Sequence, residues 1–359
     1  MRHLSKKHRK TSDLFLLPED KTDSKKILMI TQYCKKHSPC VLRPSSAASC
    51  RRGGGAFIPR IEKTTITSCG VPIVLSLWKR HPGAATLVFY PGTMASPLLY
   101  EDLLTRLCVG GMNVVGIHPL SHGESPRIKR RFVFDDILRN GLDAVSWVLE
   151  HWGGPVAVAG HSQGGILTLA HAAADPRIAA AFSLCTLLPQ HPRAGEVTRF
   201  ARRLHHRERI LHILHTADRF FPRLPVIIPM YLNLSRVFAG AESMPRSVGD
   251  TRLSYPLHFV VSLFTADLSA ACTKGVIQCP LTVISARNDA LFPPELMRTM
   301  LDCVKAPAKE LMLLSGGGHL APLTPRRAAE IAANITARCA GYGLPLVLET
   351  PCSHQGYGI

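Results

Sequence analysis

The chain has no run of about 18 apolar residues, so no segment is long enough to cross a bilayer as a helix. None of its 11 cysteines lies in a Cys-x-x-Cys pair or a His–Cys cluster, the spacings that a zinc site or a disulfide framework would show. Their number is odd, and Cys108, Cys185 and Cys303 sit in apolar segments. They read as reduced core thiols of a reducing compartment, so a cytoplasmic location is expected. No apolar stretch follows the basic start of the chain, so a secretory signal is not expected. There is no internal repeat, which sets aside the solenoid and propeller architectures.

Acidic residues are also scarce, 25 Asp and Glu against 43 Lys and Arg, for a net charge of +18. The imbalance is local. Residues 1–60 carry 14 Lys and Arg against 4 acids, and residues 189–249 carry 10 Arg against 4 acids. The body between is close to neutral. Residues 1–56 lack periodicity and collect Lys, Arg, Ser, Pro and Gly, the composition of a disordered extension. Asp13, Glu19, Asp20 and Asp23 argue against an organellar transit peptide. A short basic run is ordinarily solvated charge, so specific nucleic-acid binding is not expected. Residues 341–359 read as a loose C-terminal tail.

What is present is a rhythm. Apolar, β-branched runs at 61–67 and 71–78 flank a Cys69-Gly70 turn and read as a hairpin. Strands follow at 86–90, 113–117, 156–159, 178–184, 281–285 and 310–314. Helical patterns separate them at 98–109, 135–152, 166–174, 294–304 and 326–339. Strands alternating with helices at this spacing predict a parallel sheet covered on both faces. The rhythm breaks over 186–275, which is rich in Pro, Arg and His and shows helical patches but no clear strand. The expected division is a core of 57–185 and 276–340, with 186–275 inserted.

The stretch Gly160-His161-Ser162-Gln163-Gly164-Gly165 lies between a strand and a helix. A serine hydroxyl is a poor nucleophile unless it is held exposed beside a base. A strand that turns sharply into a helix does this, and small residues on either side of the serine let the two approach. The bland alternative is an ordinary Gly-rich turn. In an open parallel sheet, sites form outside the carboxyl ends of the strands. Asp289 follows the 281–285 strand, and His319 follows the 310–314 strand in Gly316-Gly317-Gly318-His319. Ser162, Asp289 and His319 therefore fall at one sheet edge. His319 would act as general base and Asp289 would fix its tautomer, with Asn288 and Asp302 as the fallbacks for the role of Asp289. The backbone N–H groups of Gln163 and Thr93 are the expected oxyanion donors. His161 should point away from the reacting face, and His122 reads as a structural loop residue.

With these motifs in place, residues 61–340 resemble the α/β-hydrolase superfamily, and most closely its monoacylglycerol lipase and lysophospholipase branch, the serine-aminopeptidase-like group. The matching elements are Tyr90-Pro91-Gly92-Thr93, Ser121-His122-Gly123-Glu124-Ser125, Gly160 to Gly165, Asp289 and Gly318-His319. The chain departs from the pattern at Pro91, at Ser121 (usually Gly) and at His118 (often Asp). The resemblance implies an α/β-hydrolase fold: a mostly parallel eight-stranded sheet with a helical cap inserted after the sixth strand, where 186–275 sits. It also implies a serine hydrolase that cleaves a carboxylic ester through an acyl-enzyme on Ser162, with no metal or organic cofactor. The expected substrate is a small-molecule or lipid ester, monoacylglycerol or lysophospholipid first.

Amide or thioester hydrolysis, acyl transfer and a cofactor-free haloperoxidase-type reaction could use the same triad, because fold does not fix function. The alternative of another class is a non-catalytic binder of lipid or acidic partners. In the insertion, 199–221 reads as basic helix, with Phe200, Leu204, Leu211 and Leu214 near one face and Arg202, Arg203, Arg207 and Arg209 elsewhere. Such a helix either meets an anionic membrane surface or packs its apolar face on the site with arginines in water. The N-terminal extension is the other candidate for peripheral membrane contact. The apolar stretch 220–231 is expected to line an acyl pocket or fill the cap core.

Overall fold

A computed structural model of the protein describes residues 57–129, 131–199, 207–242 and 252–348. The extension expected over 1–56 lies outside the described residues. The hairpin of β1 (Ile61–Ser68) and β2 (Val71–Trp78) turns at Cys69 and Gly70, both at positive φ. Next come β3 (Thr86–Tyr90), α1 (Glu101–Val109), β4 (Asn113–His118) and α2 (Phe134–His151). Then follow β5 (Val156–His161), α3 (Gln163–Ala174) and β6 (Ile178–Leu184). After an inserted segment the alternation resumes with β9 (Leu281–Ala286), α7 (Pro294–Cys303), β10 (Lys309–Leu314) and α8 (Pro325–Gly341). The insertion carries α4 (Arg207–Phe220), β7 (Pro225–Ile227), α5 (Leu234–Phe238), β8 (Ser254–Pro256) and α6 (Leu257–Phe264).

Eight strands form one sheet in the order β1-β2-β4-β3-β5-β6-β9-β10. The pairs β1/β2 and β2/β4 are antiparallel and the remaining pairs are parallel. Every residue of β3, β4 and β5 is buried, as a sheet covered on both faces requires. Alternation along β3 shows the two faces. Leu87 and Phe89 join Leu103, Leu104 and Leu107 of α1 and Ile331 and Ile335 of α8 in one cluster. Tyr90 points the other way, where its hydroxyl bonds the Leu138 carbonyl of α2 (3.3 Å) and Nδ1 of His171 in α3 (2.7 Å). The strand order reverses at β3, whose neighbours are β4 and β5. Such a reversal, at the carboxyl ends of β3 and β5, is the usual ligand position in sheets of this kind.

Several expectations need correction. The insertion is not free of strands: β7 and β8 pair antiparallel as a separate two-stranded sheet. At three residues each, they are too short to show a period of two. Residues 341–348 are not a loose tail, since Ala85 N–H donates to the Pro345 carbonyl (2.8 Å) and Val347 N–H to the Gly111 carbonyl (2.9 Å). Cys303 is exposed at the end of α7, whereas Cys108 and Cys185 are buried.

The stretch 220–231 does not form an enclosed wall. Phe220 is 68% exposed, Phe221 64% and Met230 53%, while Pro222, Ile228 and Tyr231 are buried. Burial inside the insertion goes instead to Tyr255 and to Phe259, Val260 and Val261 of α6. Hydrophobicity alone does not tell a buried side chain from an exposed one. In α4, Leu211 and Leu214 are half-buried and Arg209 and Arg219 exposed, while Phe200, Arg202, Arg203 and Leu204 lie outside the described residues. No helix among the described residues is long and apolar enough to cross a membrane.

Candidate active site

Ser162 stands at the junction of β5 and α3 with φ +57° and ψ −116°, a backbone shape that costs an L-residue about 1–3 kcal/mol. The surroundings hold it there. Ser162 N–H donates to the Leu184 carbonyl (2.8 Å), and the Ser162 carbonyl accepts from Thr186 Oγ1 (2.8 Å). The flanking glycines are required by contact. A Cβ on Gly160 would lie 2.2 Å from the Gly164 carbonyl oxygen, and one on Gly164 would lie 2.2 Å from that of Tyr90. Strand and helix meet too closely there for any side chain.

Ser162 Oγ lies 3.1 Å from Nε2 of His319, and Nδ1 of that ring lies 3.2 Å from Oδ2 of Asp289. The other Asp289 oxygen accepts from the N–H groups of Leu291 (2.8 Å) and Phe292 (2.9 Å), which fixes the carboxylate plane. Asp289 and His319 are buried. The His319 ring sits against Phe292 and His161, with centroids 5.2 and 4.8 Å away. The three residues singled out in the sequence thus form one hydrogen-bonded line. The fallback residues do not join it: Asn288 Oδ1 accepts from Gly318 N–H (3.0 Å), and Asp302 is exposed on α7.

Thr93 and Gln163 are brought together beside Ser162, with Thr93 Oγ1 donating to Gln163 Oε1 (3.0 Å). Among the described residues, the N–H of neither donates to another backbone group. Gln163 opens α3, so its N–H belongs to the positive end of a helix.

The site rests on neutral imidazoles. His161 turns away from the reacting face, with Nδ1 2.8 Å from the Tyr100 hydroxyl and Nε2 2.8 Å from the His319 carbonyl. His118 stands where the related pattern often has Asp. Its Nδ1 accepts from Glu124 N–H (3.0 Å) and its Nε2 meets Ser76 Oγ (2.9 Å), so an uncharged ring supplies the acceptor. Burial pushes His118 down to about 4 and His122 down to about 3, and holds His161 well below its usual value.

These shifts predict acid lability. Each folded value lies below the unfolded one near 6.5, so between them the unfolded chain binds protons that the folded chain refuses. The stability is present above about pH 6.5 and is lost as pH falls toward the folded values. From pH 7 to pH 5, His118 and His122 should each cost about 2 kcal/mol. Urea midpoints at the two pH values measure this, and equal midpoints would contradict it.

His161, Cys185 and His319 offer donor atoms within 4.8 Å of one another. Both His161 nitrogens are engaged, and burial holds the Cys185 thiol protonated. Binding a metal ion there would break those bonds. Two side chains at the site escaped the sequence reading, Tyr100 and Tyr255. Neither lies in a motif, and Tyr255 comes from the insertion, more than 90 residues after Ser162.

Sheet order, elbow and the loops after β9 and β10 together define an α/β-hydrolase. Residues 81–323 match the family model described as serine aminopeptidase S33, and the chain belongs to that family. Among known proteins, it is 35% identical over 101 residues to a protein of Mycobacterium phage D29 provisionally named a non-heme haloperoxidase. That match spans 28% of this chain and 35% of the relative. Its fold is similar to that of the monoacylglycerol lipase of Paleococcus ferrophilus, at TM-score 0.58 and 16% identity over 79% of this chain and 99% of that one. It is also similar to a soluble variant of the monoglyceride lipase of Saccharomyces cerevisiae, solved with a substrate analogue. There the TM-score is 0.60 and identity 13%, over 85% of this chain and all of the other.

Proposed function

We propose that this chain is a serine hydrolase that cleaves carboxylic esters through an acyl-enzyme on Ser162. The observation that carries the reading is the line Ser162 Oγ, His319 Nε2, His319 Nδ1, Asp289 Oδ2 at the elbow, with bonds of 3.1 and 3.2 Å. Ser162 Oγ attacks the ester carbonyl carbon while His319 Nε2 takes its proton. The carbonyl oxygen becomes an oxyanion, met by the N–H groups of Thr93 and Gln163. Collapse breaks the bond to the alcohol, which leaves with the proton held by His319. Water, deprotonated by the same ring, then attacks the acyl carbon, and the acid leaves as Ser162 recovers its proton. Asp289 keeps Nδ1 protonated and stabilises the imidazolium form without itself taking the proton.

The segment 186–275 is proposed as a cap over this site. In support, Tyr255 of β8 bonds the N–H of Met94 beside Thr93 (2.7 Å). A long acyl ester, a monoacylglycerol or a lysophospholipid, is the proposed substrate, as the lipase names of the structural relatives suggest. The test is hydrolysis of p-nitrophenyl esters of increasing chain length. Medium or long chains should be favoured. Acetate as the best substrate would overturn the lipid assignment and leave the esterase standing.

The exposed edge of the insertion is the proposed membrane contact. Ile213, Phe220, Phe221, Leu224, Ile227 and Met230 are exposed, beside exposed Arg209, Arg219 and Arg223. Each arginine near an anionic surface contributes about 1 kcal/mol, and inserted phenylalanines add to that. The protein should sediment with phosphatidylglycerol vesicles. Phe220→Asp with Phe221→Asp should weaken this on the order of tenfold, with hydrolysis of a short soluble ester unchanged. Undiminished binding by the double variant would move the contact elsewhere.

A further inference from the structure

Two relays of the same chemical order converge on the loop Gly92–Thr93–Met94. Upstream, Gly92 N–H donates to the Tyr100 hydroxyl oxygen (3.1 Å). That hydroxyl lies 2.8 Å from His161 Nδ1, and His161 Nε2 lies 2.8 Å from the His319 carbonyl. Downstream, Met94 N–H donates to the Tyr255 hydroxyl oxygen (2.7 Å). That hydroxyl lies 2.7 Å from His122 Nε2, and His122 Nδ1 lies 2.8 Å from the Leu120 carbonyl.

The direction of each bond follows from what the groups can do. A carbonyl only accepts, so the imidazole nitrogen facing it carries the proton. The other nitrogen of a neutral ring then accepts, and its donor is the tyrosine. The tyrosine oxygen in turn accepts from the loop amide. Each relay is therefore amide to phenol to imidazole to carbonyl, with no donor left over. Tyr100, Tyr255, His122 and His161 are all buried, where an unmade bond is costly and a satisfied chain is rigid.

The downstream relay reaches into the insertion. Arg252 N–H also donates to the Met94 carbonyl (2.9 Å), so both polar backbone groups of Met94 are held by inserted residues. Met94 has φ +61°, a shape that a non-glycine residue keeps where its neighbours over-determine it.

We propose that Tyr100 and Tyr255 are positioning residues of the oxyanion hole. They hold the amides on either side of Thr93, so that the Thr93 N–H stays aimed beside that of Gln163, and the insertion thereby completes the hole. This rests on the oxyanion role assigned to Thr93 and Gln163 in the proposed function. Neither phenol touches substrate. Each acts through the loop, so its removal should move the transition state more than substrate binding.

The experiment compares the full chain with Tyr255→Phe, Tyr100→Phe and Ser162→Ala, using p-nitrophenyl butyrate and a trifluoromethyl ketone whose adduct places an oxyanion in the hole. Each Tyr→Phe variant should lose about 10- to 100-fold in kcat, less than the 10²–10³ of removing a donor outright. KM should stay within about twofold, since an interaction made only in the transition state acts on kcat. Affinity for the ketone should fall by the factor lost in kcat. Native kcat and ketone affinity in both Tyr→Phe variants would overturn the positioning role while leaving the hydrolase reading intact. A native rate in Ser162→Ala would overturn both readings.

If Tyr255→Phe does not fold, His122 variants read the same relay. His122→Gln keeps an acceptor for Tyr255 and His122→Leu removes it. The Gln variant should retain at least several-fold more kcat than the Leu variant, and equal kcat in the two would overturn the proposal.

Discussion

Ser162→Ala is expected to lower kcat for a p-nitrophenyl ester by roughly a million-fold, the scale on which a serine nucleophile contributes in well-characterised triads, and to abolish labelling by a fluorophosphonate. Ser162 Oγ is the atom of this site placed both at the elbow and 3.1 Å from the His319 ring nitrogen. Without it no acyl-enzyme forms, and what remains is the oxyanion hole acting on a water molecule. Folding should be little affected. Alanine keeps the Cβ at the same φ of +57°, so the backbone cost is unchanged. The lost hydrogen bond is worth about 0.5–1.5 kcal/mol. A variant that melts within a few degrees of the native protein but neither hydrolyses nor labels would establish the nucleophile. Equal rates for the two proteins would remove Ser162 from the chemistry.

Asp289→Asn is expected to cost about 10⁴-fold in kcat with KM nearly unchanged. The reason lies in donor and acceptor accounting. One oxygen of Asp289 accepts from two backbone N–H groups, at 2.8 and 2.9 Å. An asparagine would keep its carbonyl oxygen there and turn its NH₂ toward His319 Nδ1. That nitrogen would then have to accept, and the ring proton would move to Nε2, the atom that must receive the proton of Ser162. The geometry would survive with the wrong tautomer. The pH profile of kcat is the discriminating readout, because a misplaced proton on His319 alters the apparent base whereas a packing defect does not. A loss below tenfold would mean that Asp289 does not orient the ring.

Much of this was legible along the chain because the relevant signals are local. The elbow is contiguous: a β-branched strand, Gly160, Ser162, Gly164 and an apolar helix. Gly160 and Gly164 are glycines because a Cβ at either would lie 2.2 Å from a backbone oxygen. Asp289 and His319 are far from Ser162 in sequence, yet each follows a strand of the same sheet. The rule that sites gather at the carboxyl ends of parallel strands places them together from sequence alone. Other features carried no local signal. The burial of Leu344 and the hydrogen bonds of Pro345 and Val347 depend on where α8 ends relative to β3 and β4. Phe220 and Phe221 are as apolar as core residues, and their exposure depends on which elements the rest of the insertion places against them.

Sequence by itself determined the order of elements in the main sheet and its covering helices, and the identity of the three residues in the hydrogen-bonded line, because periodicity and turn chemistry are written over a few neighbouring residues. Tertiary structure alone decided what surrounds that line. Tyr100 and Tyr255, 155 positions apart, clamp the two sides of one short loop, and His122 and His161 stay neutral because the fold strips them of water. Such pairings arise only when distant segments are packed to within a hydrogen bond of each other, and burial is a property of the packed whole that no short stretch of residues encodes.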